Sequence, residues 1–354
     1  IKRHPEYNME DRLHLTRINF EKGTVTIKGK EYPLTDKKLP TVDPKDPLKL
    51  TKEEEELIHN LCMSFKHSVN LQRHIRFVYS HGAMYKCCNS NLLYHGCIPM
   101  KENGDFDEIK FNGIIYSGKR MLDYIEDAVK MAYFLPDDDT SKEWYKDLMW
   151  YLWCGPKSPV YGKDNMATFE GYFVADKAAA KENMNPYYKL STKEEFCDKI
   201  LREFGLPVEG SHIINGHVPV HQIEGESPVK CGGKVIVIDG GLCKAYQKVT
   251  GIAGYTLIYN SYGLFLAAHE PFTSAEEAWE SFKKEYFGEN SDLAEGYVSR
   301  LEYPMQEDSI AHAARRFKYL YDTYLSGTDC QLYLSVIPDK NAFLASSHGY
   351  PALD

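Results

Sequence analysis

Leu92-Leu93-Tyr94-His95-Gly96-Cys97-Ile98-Pro99 and His212-Ile213-Ile214-Asn215-Gly216-His217-Val218-Pro219-Val220 are the stretches that decide how this chain folds. Each is a short apolar run that ends in a histidine beside a glycine. Such runs read as buried strands. Each would deliver one imidazole from its C-terminal end into a site. Glycine at that point lets the backbone turn sharply or approach a ligand closely. Two neutral imidazoles, His95 and His217, can meet at one metal ion although they are far apart in sequence. The plainer reading of each is a hydrogen-bonded histidine at a strand end.

A third run, Lys234-Val235-Ile236-Val237-Ile238-Asp239-Gly240-Gly241, has the same form and ends in an aspartate. Asp239 would sit at a C-terminal strand end, where α/β sites gather. It could approach an ion or ligand, or take the second N–H of a metal-bound histidine. It could equally bond its own backbone as a turn residue. The loop Trp153 to Lys163 is rich in turn formers. Lys157 and Lys163 could neutralise a phosphate there, with Ser158 and Tyr161 donating hydrogen bonds, or the loop could be a solvated surface. Gly241, Lys244, Tyr246, Gln247 and Lys248 form a similar cluster after Asp239. Basic groups beside a metal site suit a phosphorylated substrate.

Working outward, Lys28-Gly29-Lys30 predicts the turn of a hairpin over residues 21–33. Residues 34–50, with Pro40, Pro44 and Pro47, read as a loop. Thr51 with Glu54 is a capping box that opens a helix to about Ser64, and a second helix runs to about Tyr79. Further helices are expected over 119–134, 141–153 and 274–287. Thr192 with Glu195 predicts the cap of a helix ending at Gly205. Gly254–Asn260 and Gly263–His269 predict a hairpin around Ser261-Tyr262. The aromatic residues of 141–153 read as core. The mixture argues α/β (α+β), with the site histidines on loops after strands.

The chain has 354 residues, 43% of them hydrophobic, and a formal charge of −9. That is an ordinary globular composition. It offers no general attraction to nucleic acid or to an anionic membrane, and no apolar run is long enough for a transmembrane helix. Nine scattered cysteines without a C-x-x-C pair fit reduced, mostly buried thiols and a cytoplasmic location. The start, Ile1-Lys2-Arg3-His4-Pro5, reads as a piece of a longer protein. The phosphate-loop, dinucleotide, H-E-x-x-H and G-x-S-x-G strings are missing.

Together, Leu93 to Pro99, Trp150 to Lys163, Asn185-Pro186-Tyr187-Tyr188, Ile213 to Val220 and Val237 to Tyr255 resemble the class III fructose-1,6-bisphosphatases of bacteria. Those are enzymes of the calcineurin-like metallophosphoesterase superfamily. The resemblance runs from residue 1 to about residue 290. It implies the C-terminal part of a β-sandwich with flanking helices. It also implies a dinuclear manganese site whose ligands come from five sequence blocks. His95 matches the fourth block and His217 the fifth, so both would bind the second metal. Asp239, Lys157, Lys163, Tyr161, Lys244 and Gln247 would be supporting or substrate-facing residues. The first three blocks are not found here, so no catalytic residue is assigned and the general acid is expected upstream. The complete enzyme would hydrolyse the 1-phosphate of fructose 1,6-bisphosphate in gluconeogenesis, without a phosphoenzyme. This chain alone is expected to be inactive until it meets the missing N-terminal half. A homo-oligomer is a further expectation.

Residues 291–354 depart from that pattern and weakly resemble the DHHW family. Two other readings stand beside the first. One is a calcineurin-like phosphatase acting on a nucleotide or protein. The other is a non-catalytic remnant or binding module with an empty half-site.

Overall fold

The computed structural model describes residues 1–260 and 263–269, with a few isolated positions between 274 and 326. The chain divides into two compact units, Ile1–Pro271 and Phe272–Asp354. Of the expected helix over 274–287 only isolated positions are described, with Glu276, Glu277 and Glu280 helical, and the turn at Ser261-Tyr262 lies outside the described residues, as does nearly all of the 291–354 tail.

In chain order the strands are β1 (Ile18–Asn19), β2 (Thr24–Ile27), β3 (Lys30–Pro33), β4 (Tyr85–Cys88), β5 (Asn91–Tyr94), β6 (Glu108–Phe111), β7 (Ile114–Ser117), β8 (His212–Asn215), β9 (Val229–Lys230), β10 (Val235–Val237), β11 (Gly254–Asn260) and β12 (Gly263–His269). The helices are α1 (Lys52–His67), α2 (Val69–His81), α3 (Gly118–Phe134), α4 (Ser141–Cys154), α5 (Thr168–Phe173), α6 (Tyr187–Leu190), α7 (Glu194–Glu203) and α8 (Lys244–Thr250). This is the mixed α/β arrangement that the sequence predicts.

The site rests on a five-stranded sheet of order β4-β5-β8-β10-β9. Its three central strands, β5, β8 and β10, are parallel, and the two outer strands are antiparallel to them. Leu93 pairs with Ile214, and Ile214 pairs with Ile236. Continuing that register brings the residues after Tyr94, Asn215 and Val237 to one edge. Ile213, Ile214 and all of β10 are buried, which explains why those strands are apolar on both faces. The long crossover from β5 to β8 carries α3, α4 and α7. Ile200 and Leu201 of α7, with Phe204 just after it, share one core with Leu92, Ile213 and Val235. Leu122 of α3 joins that core, whereas Met121, Ile125 and Ala128 join a second with Phe111, Leu148 and Tyr151. A third small core lies between β2, β3 and the region of Val174.

The predicted hairpin at 21–33 forms as β2–β3, turning through Lys28 and Gly29 at positive φ. Thr51 and Glu54 form the predicted reciprocal capping box. The strands predicted over 254–260 and 263–269 also form and pair. The predicted Thr192 cap does not form. Its hydroxyl donates to the Lys189 carbonyl at 2.9 Å, closing the turn after α6, and α7 starts later without a side-chain cap. Glu194 and Glu195 still occupy its first turn, where the helix dipole favours carboxylates. Helices α1 and α2 contain no buried residue; Leu61 and Phe65 are more than half exposed.

Candidate metal centre

The two histidine strings converge. His95 follows β5 and His217 follows β8 after Gly216. The Gly216 N–H donates to the His95 carbonyl at 2.9 Å, locking the two turns together. His95 Nε2 lies 3.1 Å from His217 Nδ1, and the rings meet edge to face. His217 holds its ring there from a left-handed backbone, φ +70°. That conformation is uncommon for a residue with a side chain and recurs at functional sites. Gly96 is required by contact: a Cβ there would stand 2.7 Å from the Pro159 carbonyl oxygen and 3.6 Å from His217 Cβ.

His217 Nε2 lies 2.8 Å from the Tyr161 carbonyl oxygen. A carbonyl only accepts, so Nε2 carries the hydrogen. A neutral ring then leaves Nδ1 as a lone pair, and His95 Nε2 is the donor between the two rings. A backbone carbonyl on the far nitrogen is the usual way to fix the tautomer of a metal-binding histidine. Burial pushes the His95 imidazole below the usual histidine range. His217 pushes the same way, and Asp239 pulls it back. A lowered value favours the lone pair that a metal needs.

The distance fits a shared ion. Two nitrogens bound about 2.1 Å from one metal at neighbouring corners lie roughly 3.0–3.4 Å apart. Among the described residues no group of three or more His, Cys, Asp or Glu side chains could hold a metal. What the described residues bring together is a pair of imidazoles.

The histidines open into a cleft of about 760 Å³ lined also by Tyr161, Lys163, Asp239, Leu242 and Tyr246. Asp239 stands at the expected strand end; a Cβ on Gly216 would lie 3.4 Å from its own Cβ. Its Oδ1 accepts from the Gly241 N–H at 2.8 Å, the turn interaction open from the sequence. The Tyr161 carbonyl, rather than Asp239, holds the far nitrogen of His217. Lys163 lines the cleft with its Nζ 2.6 Å from Glu182. The Tyr161 hydroxyl donates to the Asn165 carbonyl.

The other predicted residues are not brought to the cleft. Lys157 Nζ is held by Asp107 at 2.9 Å and by the Glu108 carbonyl. Gln247 donates to the Leu242 carbonyl, and Lys244 is exposed at the start of α8. Ser158, read as a possible phosphate donor, is buried and donates to the Leu152 carbonyl. Sequence reasoning missed the Tyr161 carbonyl. It also missed Met184, Leu242, Cys243 and Tyr255, which complete the lining.

Fold and site together define a mixed α/β protein with a paired-imidazole cleft at the C-terminal edge of its parallel strands. Residues 1–300 match the family described as Firmicute fructose-1,6-bisphosphatase. The chain is 54% identical over 283 residues to fructose-1,6-bisphosphatase class 3 of Clostridium novyi, covering 80% of this chain and 43% of that one. The protein of the same name from Bacteroides fragilis is 52% identical over 280 residues, covering 79% and 42%. That from Alkaliphilus metalliredigens is 49% identical over 331 residues, covering 92% and 50%. This chain belongs to the Firmicute fructose-1,6-bisphosphatase family. It spans about half the length of the relatives it matches, or somewhat less. No solved structure matches it.

Proposed function

We propose that this chain supplies one part of the metal and substrate site of a class 3 fructose-1,6-bisphosphatase. The complete protein would hydrolyse the 1-phosphate of fructose 1,6-bisphosphate. One observation carries the reading: His95 and His217, from the ends of adjacent parallel strands, stand 3.1 Å apart. A bound divalent cation would supply Lewis-acid polarisation of a phosphoryl oxygen and a lowered water pKa. Histidine with oxygen ligands suits manganese.

The chain's own residues have definable tasks in that setting. With its proton moved from Nε2 to Nδ1, His95 would present a lone pair beside that of His217 Nδ1 to one ion, the second of a dinuclear pair. The Tyr161 carbonyl holds the proton of His217 at Nε2 and so keeps Nδ1 free. Lys163, on the cleft wall, offers positive charge to a phosphate, which would compete with Glu182 for it. Asp239 stands close against Gly216, where an added Cβ would meet its Cβ at 3.4 Å. The remaining ligands and the general acid would come from an N-terminal half, closing a calcineurin-like sandwich. The eight described cysteines are all free thiols, in keeping with a reducing cytoplasm, although only Cys97, Cys154 and Cys197 are buried, fewer than the sequence predicts. Burial pushes the Cys97 thiol up to about 12, so it stays protonated. Among the described residues no helix is long and apolar enough to cross a membrane. A homo-oligomer is compatible with this proposal, and the sequence itself does not give the oligomeric state.

The test is manganese-dependent phosphate release from fructose 1,6-bisphosphate. It compares this chain with the same chain joined behind the N-terminal half of the Clostridium novyi relative. Only the joined protein should turn over. His95→Ala or His217→Ala should lower its rate by roughly a hundredfold or more, beyond what supporting residues usually cost. A joined protein that binds manganese but ignores the sugar bisphosphate would contradict the substrate. Full activity in both alanine variants would contradict the site.

A further inference from the structure

The segment Asn185-Pro186-Tyr187-Tyr188 is distinctive in the sequence, yet none of its side chains lines the cleft. Tyr187 is fully buried beneath the two histidine turns. Its hydroxyl lies 2.5 Å from the Tyr94 hydroxyl and accepts from Asn215 Nδ2 at 2.8 Å. Tyr94 immediately precedes His95. Asn215 precedes the Gly216-His217 pair. Asn215 Nδ2 also reaches the Gly96 carbonyl at 3.2 Å. One phenol therefore joins the last residues of β5 and β8.

The same segment is anchored on every side that presents the site. Asn185 Oδ1 accepts from the Met100 and Tyr187 N–H groups at 3.1 and 3.0 Å. The Asn185 N–H donates to the Gly162 carbonyl at 2.9 Å, next to the Tyr161 carbonyl that holds His217. Three segments that share no sequence neighbourhood thus converge on one turn. A purely apolar plug would fill the space at less cost, because Asn215 Oδ1 is left buried without a partner.

We infer that Tyr187 is a positioning residue for the metal centre: its hydroxyl sets the separation and orientation of His95 and His217 by clamping Tyr94 to Asn215. The inference rests on the metal reading above for its consequence, though not for its geometry. Losing the hydroxyl frees the two strand ends to shift by tenths of an ångström. Groups that orient metal ligands typically change metal affinity 10- to 100-fold when altered.

The experiment uses this chain labelled with ¹⁵N-histidine. Ring-nitrogen chemical shifts are recorded without metal, followed by broadening of the same signals as Mn²⁺ is added. Tyr187→Phe keeps the ring and its packing. Ile125→Val, in the separate core under α3, serves as a variant with a modest packing loss. Tyr187→Phe should move the ring-nitrogen shifts of His95 and His217, and should raise the Mn²⁺ concentration for half-maximal broadening about tenfold. Ile125→Val should do neither. Unchanged ring nitrogens in Tyr187→Phe, or equal changes in Ile125→Val, overturn the inference. Shifted ring nitrogens with no Mn²⁺ broadening, in this chain and in the same chain joined behind the N-terminal half, uphold the clamp and refute the metal reading.

Discussion

At the scale of single residues the site is a matter of which atoms are already engaged. His95 and His14 both lie below the usual histidine range, in each case chiefly because they are buried. Unfolded, each takes up a proton near pH 6.5. Folded, each resists it, so below that value the unfolded chain binds more protons. Stability should therefore fall as pH drops through about 6.5 toward the folded values, and be flat above it. Urea midpoints across that range would show the slope, and His95→Gln should make it shallower. Gly96→Ala tests the close approach beside His217. The added methyl meets the Pro159 carbonyl at 2.7 Å, closer than real contacts allow. A loss of about 1–3 kcal/mol in a denaturant titration is expected, with a shifted His217 ring signal.

At the scale of elements, much was legible and the rest had physical reasons for escaping notice. The buried strands around His95, His217 and Asp239 announced themselves because central parallel strands are apolar on both faces. The hairpin β6–β7 turns through Asn112-Gly113 at positive φ, a strong hairpin signal that the sequence reading passed over. Its neighbour β4–β5 turns through Asn89-Ser90, where no glycine marks the point. The Tyr161 carbonyl could not be foreseen, since every residue has one and only the tertiary path aims it. Lys157 looked like a phosphate ligand because Asp107, its partner, is distant in sequence. The Thr51–Glu54 box was both legible and formed. Helix α1 buries no residue, so its cap carries an unusual share of its stability. Thr51→Ala should cost about 1 kcal/mol locally, read as faster hydrogen exchange over Lys52–His67 with little change around the sheet.

For the molecule as a whole, the unevenness of burial is informative. The five-stranded sheet is well covered by α7, whereas Leu57, Ile58, Leu61, Phe65, Phe77 and Val78 stand exposed on α1 and α2. Exposed apolar stretches of this kind mark surfaces that bind other apolar groups. Leu61→Lys with Phe65→Lys should lower the fluorescence of a dye that reports apolar surface, while leaving the thermal midpoint nearly unchanged. In the proposed function, two distant strings of one chain hold one ion. Pulsed electron paramagnetic resonance of the Mn²⁺-loaded chain tests it directly, because nitrogen nuclei bound to the ion modulate the echo. Two histidine nitrogens are expected, one of which disappears in His95→Ala and the other in His217→Ala. A spectrum without histidine nitrogen, or one unaltered by either substitution, would contradict it.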